Sequence, residues 1–135
     1  MSDRFRLPMA GVAGTAIEPY GVVLLWSIDC KRKTVDAVRR LNPSVNFDFE
    51  WEKFLERRDR KAMTLKVQPL VWINFFGQPS AGVIAHEATH AIGFALEMRG
   101  ALDEHKIGEE FLGYSIEKLV DTMAENIAHS SKEQR

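Results

Sequence analysis

Apolar positions recur along this chain in two ways, as short continuous or alternating runs and at intervals of three and four residues. Tyr20 to Ile28 is a mostly apolar run rich in Val and Leu, bounded by Pro19 and Asp29, and predicts a buried strand. Ala62 to Phe76, interrupted at Pro69, predicts one or two further strands, with Val71, Trp72, Ile73, Phe75 and Phe76 carrying the signal. Gly77-Gln78-Pro79 is a turn, and beyond it the period becomes helical. Val83, Ile84, Ala88, Ala91, Phe94, Ala95 and Met98 fall at helical spacing, between Ser80 as N-cap and a stop at Gly100 after Arg99. Leu112, Ile116, Leu119, Val120, Met123 and Ile127 form the stripe of a second helix, which starts between Asp103 and Gly108 and runs to about Ala128. The connection from Ala101 to Lys106 is short, which makes the two helices neighbours.

The rest of the chain is less regular. Residues 1–16 contain Pro8, Gly11 and Gly14 without clear periodicity and read as an irregular lead-in. Thr34 caps a short helix with apolar positions Val35, Val38 and Leu41, which Asn42-Pro43-Ser44 stops. Val45, Phe47, Phe49 and Trp51 alternate with polar residues, yet Phe47, Trp51, Phe54 and Leu55 also fit a helix. Glu, Lys and Arg dominate the second half of this segment, which favours a helix over 47–60. The polar tail, 130–135, is expected to fray.

Composition narrows the function classes. At 135 residues, 45% of them hydrophobic, the chain suits a single domain spanning 1–135. Eighteen basic against 19 acidic residues leave a net charge of -1, so no global field draws it to nucleic acid or anionic lipid, and neither is expected as a partner. The basic cluster Arg57 to Lys61 is broken by acids at Glu50, Glu52, Glu56 and Asp59 and reads as a solvated face. Cys30 is the one cysteine, which rules out an internal disulfide and fits a reducing compartment. It follows a strand but has no partner pattern for a nucleophile, and reads as an ordinary, partly buried thiol. Apolar runs fall short of the ~18 residues of a membrane span, and Met1 to Pro8 is not followed by an apolar core of signal-peptide length. A soluble, cytoplasmic protein is the expectation.

One motif carries chemistry. His86-Glu87-Ala88-Thr89-His90 is an HExxH sequence in the middle of the first strong helix. Residues four apart lie one turn apart on one face, so both imidazoles can reach a single zinc ion. Glu87 sits ~100° around the helix from His86, beside the metal, where it can take a proton from a water that the metal acidifies. The flanks Val83-Ile84-Ala85 and Ala91-Ile92-Gly93 predict a buried helix, in which two histidines and a glutamate would cost several kcal/mol unless satisfied. Acids near the start of the second helix, Glu109 and Glu110, are candidates for a third ligand.

Over residues 70–128 the chain resembles the zincin metallopeptidases, and among them the gluzincin type, in which a glutamate on a following helix completes the site. Glu110 lies 20 residues after His90, the separation found in thermolysin-like enzymes. Glu110-Phe111-Leu112-Gly113-Tyr114 is also similar to the Glu-x-x-small-x pattern of compact gluzincins, where the small residue lets the two helices approach. Small phage and prophage HExxH proteins carry a similar Glu-Glu-x-x-small-Tyr run. The resemblance implies a compact α+β zincin-like domain with a small β-sheet, an HExxH helix and a following glutamate-bearing helix. It implies Zn2+ held by His86, His90 and Glu110, with Glu87 as catalytic base in the hydrolysis of a peptide bond. The pattern selects Glu110, whereas the helical wheel places Glu109 nearer the apolar stripe. Tyr114 stands where related enzymes often carry an aspartate, and a tyrosine hydroxyl can bond a ligand histidine or steady an oxyanion. His105 can approach the metal from the loop or stay solvated, and His129 lies in the tail. The partner is a peptide or protein substrate. The alternative is a catalytically silent metal-binding structural or interaction protein, such as a phage assembly or virion component, with a protein partner in the host cytoplasm or virion.

Overall fold

The computed structural model describes residues 4–6, 12–18, 20–41, 60–67, 70–98 and 109–133; within these, the side chains at 4–6, 37–39, 41, 67, 109–112 and 130–133 lie outside the description. The described residues form five strands, β1 (Arg4–Arg6), β2 (Val12–Ile17), β3 (Val22–Ile28), β4 (Ala62–Val67) and β5 (Leu70–Phe75). Three helices accompany them, α1 (Arg32–Leu41), α2 (Ala81–Met98) and α3 (Glu109–Glu133). The fold is α+β. Its one sheet has the order β1-β2-β3-β5-β4.

Strand β5 is buried at every position, as its Val, Ile and aromatic content requires of a central strand. It pairs parallel with β3, from Val23↔Leu70 to Ile28↔Phe75, and antiparallel with β4, from Ala62↔Phe75 to Val67↔Leu70. The apolar stretch broken at Pro69 is therefore two strands, with β4 turned back along the sheet edge. On the other side β2 pairs antiparallel with β3, and Gly21, at φ 67°, closes their connection with its N–H on Ile17 O at 2.9 Å. Beyond β3, Asp29 takes the left-handed conformation, φ 50°, and its carboxylate accepts the Gly77 N–H at 3.2 Å.

The irregular lead-in expected over 1–16 is corrected by β1 and β2. Six residues of β2 pair with β3 and four of them are buried, but Ala13, Gly14 and Ala16 are too small to register as apolar periodicity. The cap expected at Thr34 is also corrected. Thr34 N and Val35 N both bond Lys31 O, at 2.9 and 3.2 Å, so Thr34 lies inside the first turn. Arg32 and Lys33 are good helix formers and extend α1 backwards, and Arg32 pairs with Asp36 one turn on at 3.9 Å. Helix α3 starts at Glu109 and continues to Glu133, beyond the expected end near Ala128 and into the tail expected to fray. The expected helix over 47–60 falls on residues outside the description, Arg60 excepted.

Strand alternation sends Val22, Leu24 and Trp26 of β3 and Val71, Ile73 and Phe75 of β5 to one face, where they join the main core. Helix α2 covers that face with Ile84, Ala88, Ala91, Ile92, Ala95 and Leu96, and α3 adds Leu119, Met123 and Ile127. A buried polar bridge from this core to α3 runs from Trp26 Nε1–H to Asn126 Oδ1, 2.9 Å, with both residues buried. The opposite face holds Leu25 and Trp72 beside a second polar group, in which Trp72 Nε1–H donates to Ser27 Oγ and Ser27 donates to Asn74 Oδ1, each at 2.9 Å.

Burial of an indole N–H without an acceptor costs about 1–3 kcal/mol. Asn126→Ala is accordingly expected to lower unfolding stability by that amount in urea titration, through the midpoint and not the slope. A loss below about 0.5 kcal/mol would mean that water replaces the amide.

Candidate metal centre

Ser80 starts α2 as expected. Its Oγ accepts the Val83 N–H at 3.2 Å and its carbonyl accepts the Ile84 N–H at 3.1 Å. From that start the rotation of the helix is decided by its small residues. Ala88, Ala91 and Ala95 are fully buried and let the helix lie close on the sheet. At 100° per residue, His86 and His90 then fall on the opposite side, and Glu87 on the flank towards β4.

The expectation of a wholly buried motif is corrected in this respect. Both histidines are exposed, and only Glu87, at 7% exposure, carries a burial cost. Thr64 in β4 offsets that cost, because its hydroxyl donates to Glu87 Oε2. Lys66, two residues along the same face of β4, pairs with Glu97 at 2.6 Å, so the edge strand and the helix are joined by two polar contacts. Thr64 carries no signal in the sequence, since it is an ordinary strand residue 23 positions from its partner.

His86 and His90 converge. Their Nε2 atoms are 3.2 Å apart, with the rings edge to face at centroids 4.8 Å apart. Two nitrogens each ~2.0–2.1 Å from one tetrahedral ion stand about 3.3 Å apart, so the pair already has the spacing of two ligands on one zinc. At the same distance a single N–H···N hydrogen bond also fits, with one ring donating and the other accepting. Among the described residues no group of three or more His, Cys, Asp or Glu could hold a metal. The histidines thus place two nitrogens at a spacing that one zinc ion would accept, and among the described residues no third donor joins them.

The pair opens into a cleft of about 650 Å³ between α2 and the edge strand. Ala62, Met63 and Thr64 form the strand wall, and Val83, Glu87 and Phe94 lie along the helix wall. Compared with known protein families, curated proteins and solved structures, the chain matches none.

Other expected site residues fall differently. The backbones of Glu109 and Glu110 open α3, and their side chains lie outside the description, as does His105 altogether. Tyr114 is 63% exposed on α3 and is not among the residues lining the cleft. Gly113 is exposed, and a Cβ there would meet no atom within 4 Å, so no close approach of the described helices depends on it. His129 lies within α3, near its end, and is exposed. Cys30 is half-buried behind β3, where desolvation pushes its thiol up to about 11 against a smaller opposing effect of a hydrogen bond with Ser27. No helix of the described residues is long and apolar enough to cross a membrane.

Three outcomes follow from these contacts. Thr64→Val leaves a buried carboxyl oxygen without its donor, so it should cost about 1–3 kcal/mol in urea unfolding and much less in a Glu87→Ala background, as a double-mutant cycle would read. Cys30 should react with a disulfide reagent at pH 8 roughly a hundredfold more slowly than a free thiol, and faster as the pH climbs towards about 11. Because the unfolded chain releases this proton first, the same group makes the fold lose stability as pH rises from about 9 to about 11.

Proposed function

We propose that the chain is a zinc-dependent metallopeptidase with a zincin-like arrangement. The observation that carries this reading is the 3.2 Å convergence of His86 and His90 Nε2 beside a buried Glu87, along the cleft of an edge strand. His86 and His90 would hold the ion, with Glu110 as third ligand. When bound, zinc supplies a Lewis acid that polarises a carbonyl and lowers the pKa of water towards ~7.

The remaining work belongs to the chain. Strand β4 has a partner on one side only among the described residues, and its outer edge offers N–H and C=O groups to an extended peptide. Thr64 occupies Glu87 Oε2 and orients the carboxyl group, leaving Oε1 to take a proton from water and pass it to the leaving amine. Val83 and Phe94 give the helix side of the cleft an apolar wall that excludes bulk water around a bound backbone.

A second reading is a catalytically silent metal-binding structural or interaction protein. It is favoured by the same Glu87 contact, because a buried carboxyl group tied to Thr64 also serves as a link between helix and sheet. Tyr114, outside the cleft lining, supplies no oxyanion donor there.

Metal analysis and peptide cleavage separate the two. The untagged protein should carry about one zinc, His90→Ala should lose it, and Glu110→Gln should weaken binding far more than Glu109→Gln. Glu87→Gln should retain the metal while cleavage of an unfolded-protein and mixed-peptide library, read as new termini by mass spectrometry, falls by several orders of magnitude. Zinc binding without cleavage would favour the silent protein, and no zinc uptake at micromolar concentration would sink the metal reading.

A further inference from the structure

The cleft has two unlike ends. Along β4 the order is Arg60 and Lys61 just before the strand, Thr64 in its middle and Lys66 near its close. Along α2 the order is Gly82 and Val83, then His86 and Glu87, then Glu97. Thr64 meets Glu87 and Lys66 meets Glu97, so strand and helix run in the same direction and their ends correspond. At the far end Lys66 is neutralised by Glu97. At the near end Arg60 and Lys61 are both exposed, line the cleft, and take part in no ion pair among the described residues. Glu87 is the only acid among the described residues lining the cleft, and Thr64 already engages it. Lys61 is also fixed in the sheet, because its carbonyl accepts the Phe76 N–H at 2.9 Å.

We infer that this cleft selects peptides carrying a carboxylate, which Arg60 and Lys61 receive. The inference rests on the reading of the cleft as a peptide groove and names the substrate class it takes. Lys61 and Thr64 are three residues apart on extended backbone, ~10 Å, so the carboxylate lies within about three residues of the peptide unit opposite Glu87. A side-chain carboxylate of Asp or Glu and a free C-terminus present the same chemistry. Guanidinium and ammonium groups on a partly enclosed wall attract either one, and salt screens the attraction beyond ~10 Å at 0.1 M.

The test is binding of dye-labelled extended peptides to the 135-residue chain, followed by fluorescence anisotropy. Three peptides share a neutral, apolar body. One has an amidated C-terminus, the second adds an internal Glu and keeps the amide, and the third has a free C-terminus and no Glu. The Glu peptide, the free-acid peptide or both should bind roughly three- to tenfold tighter than the neutral amide at about 0.05 M salt, with the gain mostly lost at about 0.5 M. Which of the two gains identifies the source of the carboxylate. Arg60→Gln with Lys61→Gln should abolish the gain, whereas Arg40→Gln, an exposed cation on α1, should not. A carboxylate held by bound metal would ignore the Arg60 and Lys61 substitutions, so a gain that survives them overturns the inference. Equal binding of all three peptides overturns it too while leaving the groove standing. Failure of every peptide to bind removes both the groove and the inference.

Discussion

The rotation of α2 about its own axis is the constraint on which the rest of the arrangement depends. Ala88, Ala91 and Ala95 are buried completely, and only residues this small let a helix lie so close on the β3–β5 face. Once that stripe faces the sheet, 100° per residue leaves no freedom in where the motif points. His86 and His90 must face outwards together, and Glu87 must meet the edge strand. A larger residue at any of the three alanines would push the helix outwards and part Glu87 from Thr64, so packing and chemistry are set by the same contacts.

The polar groups of the interior divide along the same lines. Asn126 reaches from α3 to Trp26, and this bridge positions the second helix against the sheet by a directional contact where apolar packing alone would tolerate sliding. On the other face, Asn74 Oδ1 accepts from both Ser27 Oγ and Cys30 N, which ties the ends of the two parallel strands together. Asn74 Nδ2 is buried without a partner among the described residues, at a cost of about 1–3 kcal/mol. Neither group touches the cleft. These two polar groups therefore stand apart from the residues that carry the candidate chemistry, and Glu87 with Thr64 is the buried polar contact that borders the cleft.

The helix with the motif was readable almost completely in advance. Ser80, the alanine positions and the four-residue separation of the histidines are local signals, and a helix expresses them without help from distant residues. The stripe of α3 was readable for the same reason, with Leu119, Met123 and Ile127 all buried. What escaped was non-local. Strand β2 is built from small residues whose strand character comes from pairing with β3, and β4 becomes an edge strand only because β3 takes the other side of β5. The partner of Thr64 depends on three non-local arrangements at once: β4 on β5, β5 on β3, and α2 across the sheet. The exposure of the histidines is not legible locally, because apolar flanking residues report that a helix is buried on one side and not which side a given residue takes.

That exposure separates the energetics of the site from those of the fold. Neither His86 nor His90 contributes to the core, so removing a bound ion would strip no apolar burial from the protein. An ion held there stabilises the native state only by mass action, in proportion to the logarithm of its concentration over its dissociation constant. The chain differs in this from small metal-folded domains, whose ligands have no arrangement until the ion arrives. Here the alanine stripe fixes the backbone positions of the two imidazoles one turn apart on the outer side of the helix before any ion arrives. Glu87 is the one member of the motif that belongs to both accounts, since it is buried and hydrogen-bonded like a core residue and still borders the cleft. A substitution there tests the fold as well as the chemistry, which is why retention of metal and structure must be measured alongside any loss of rate.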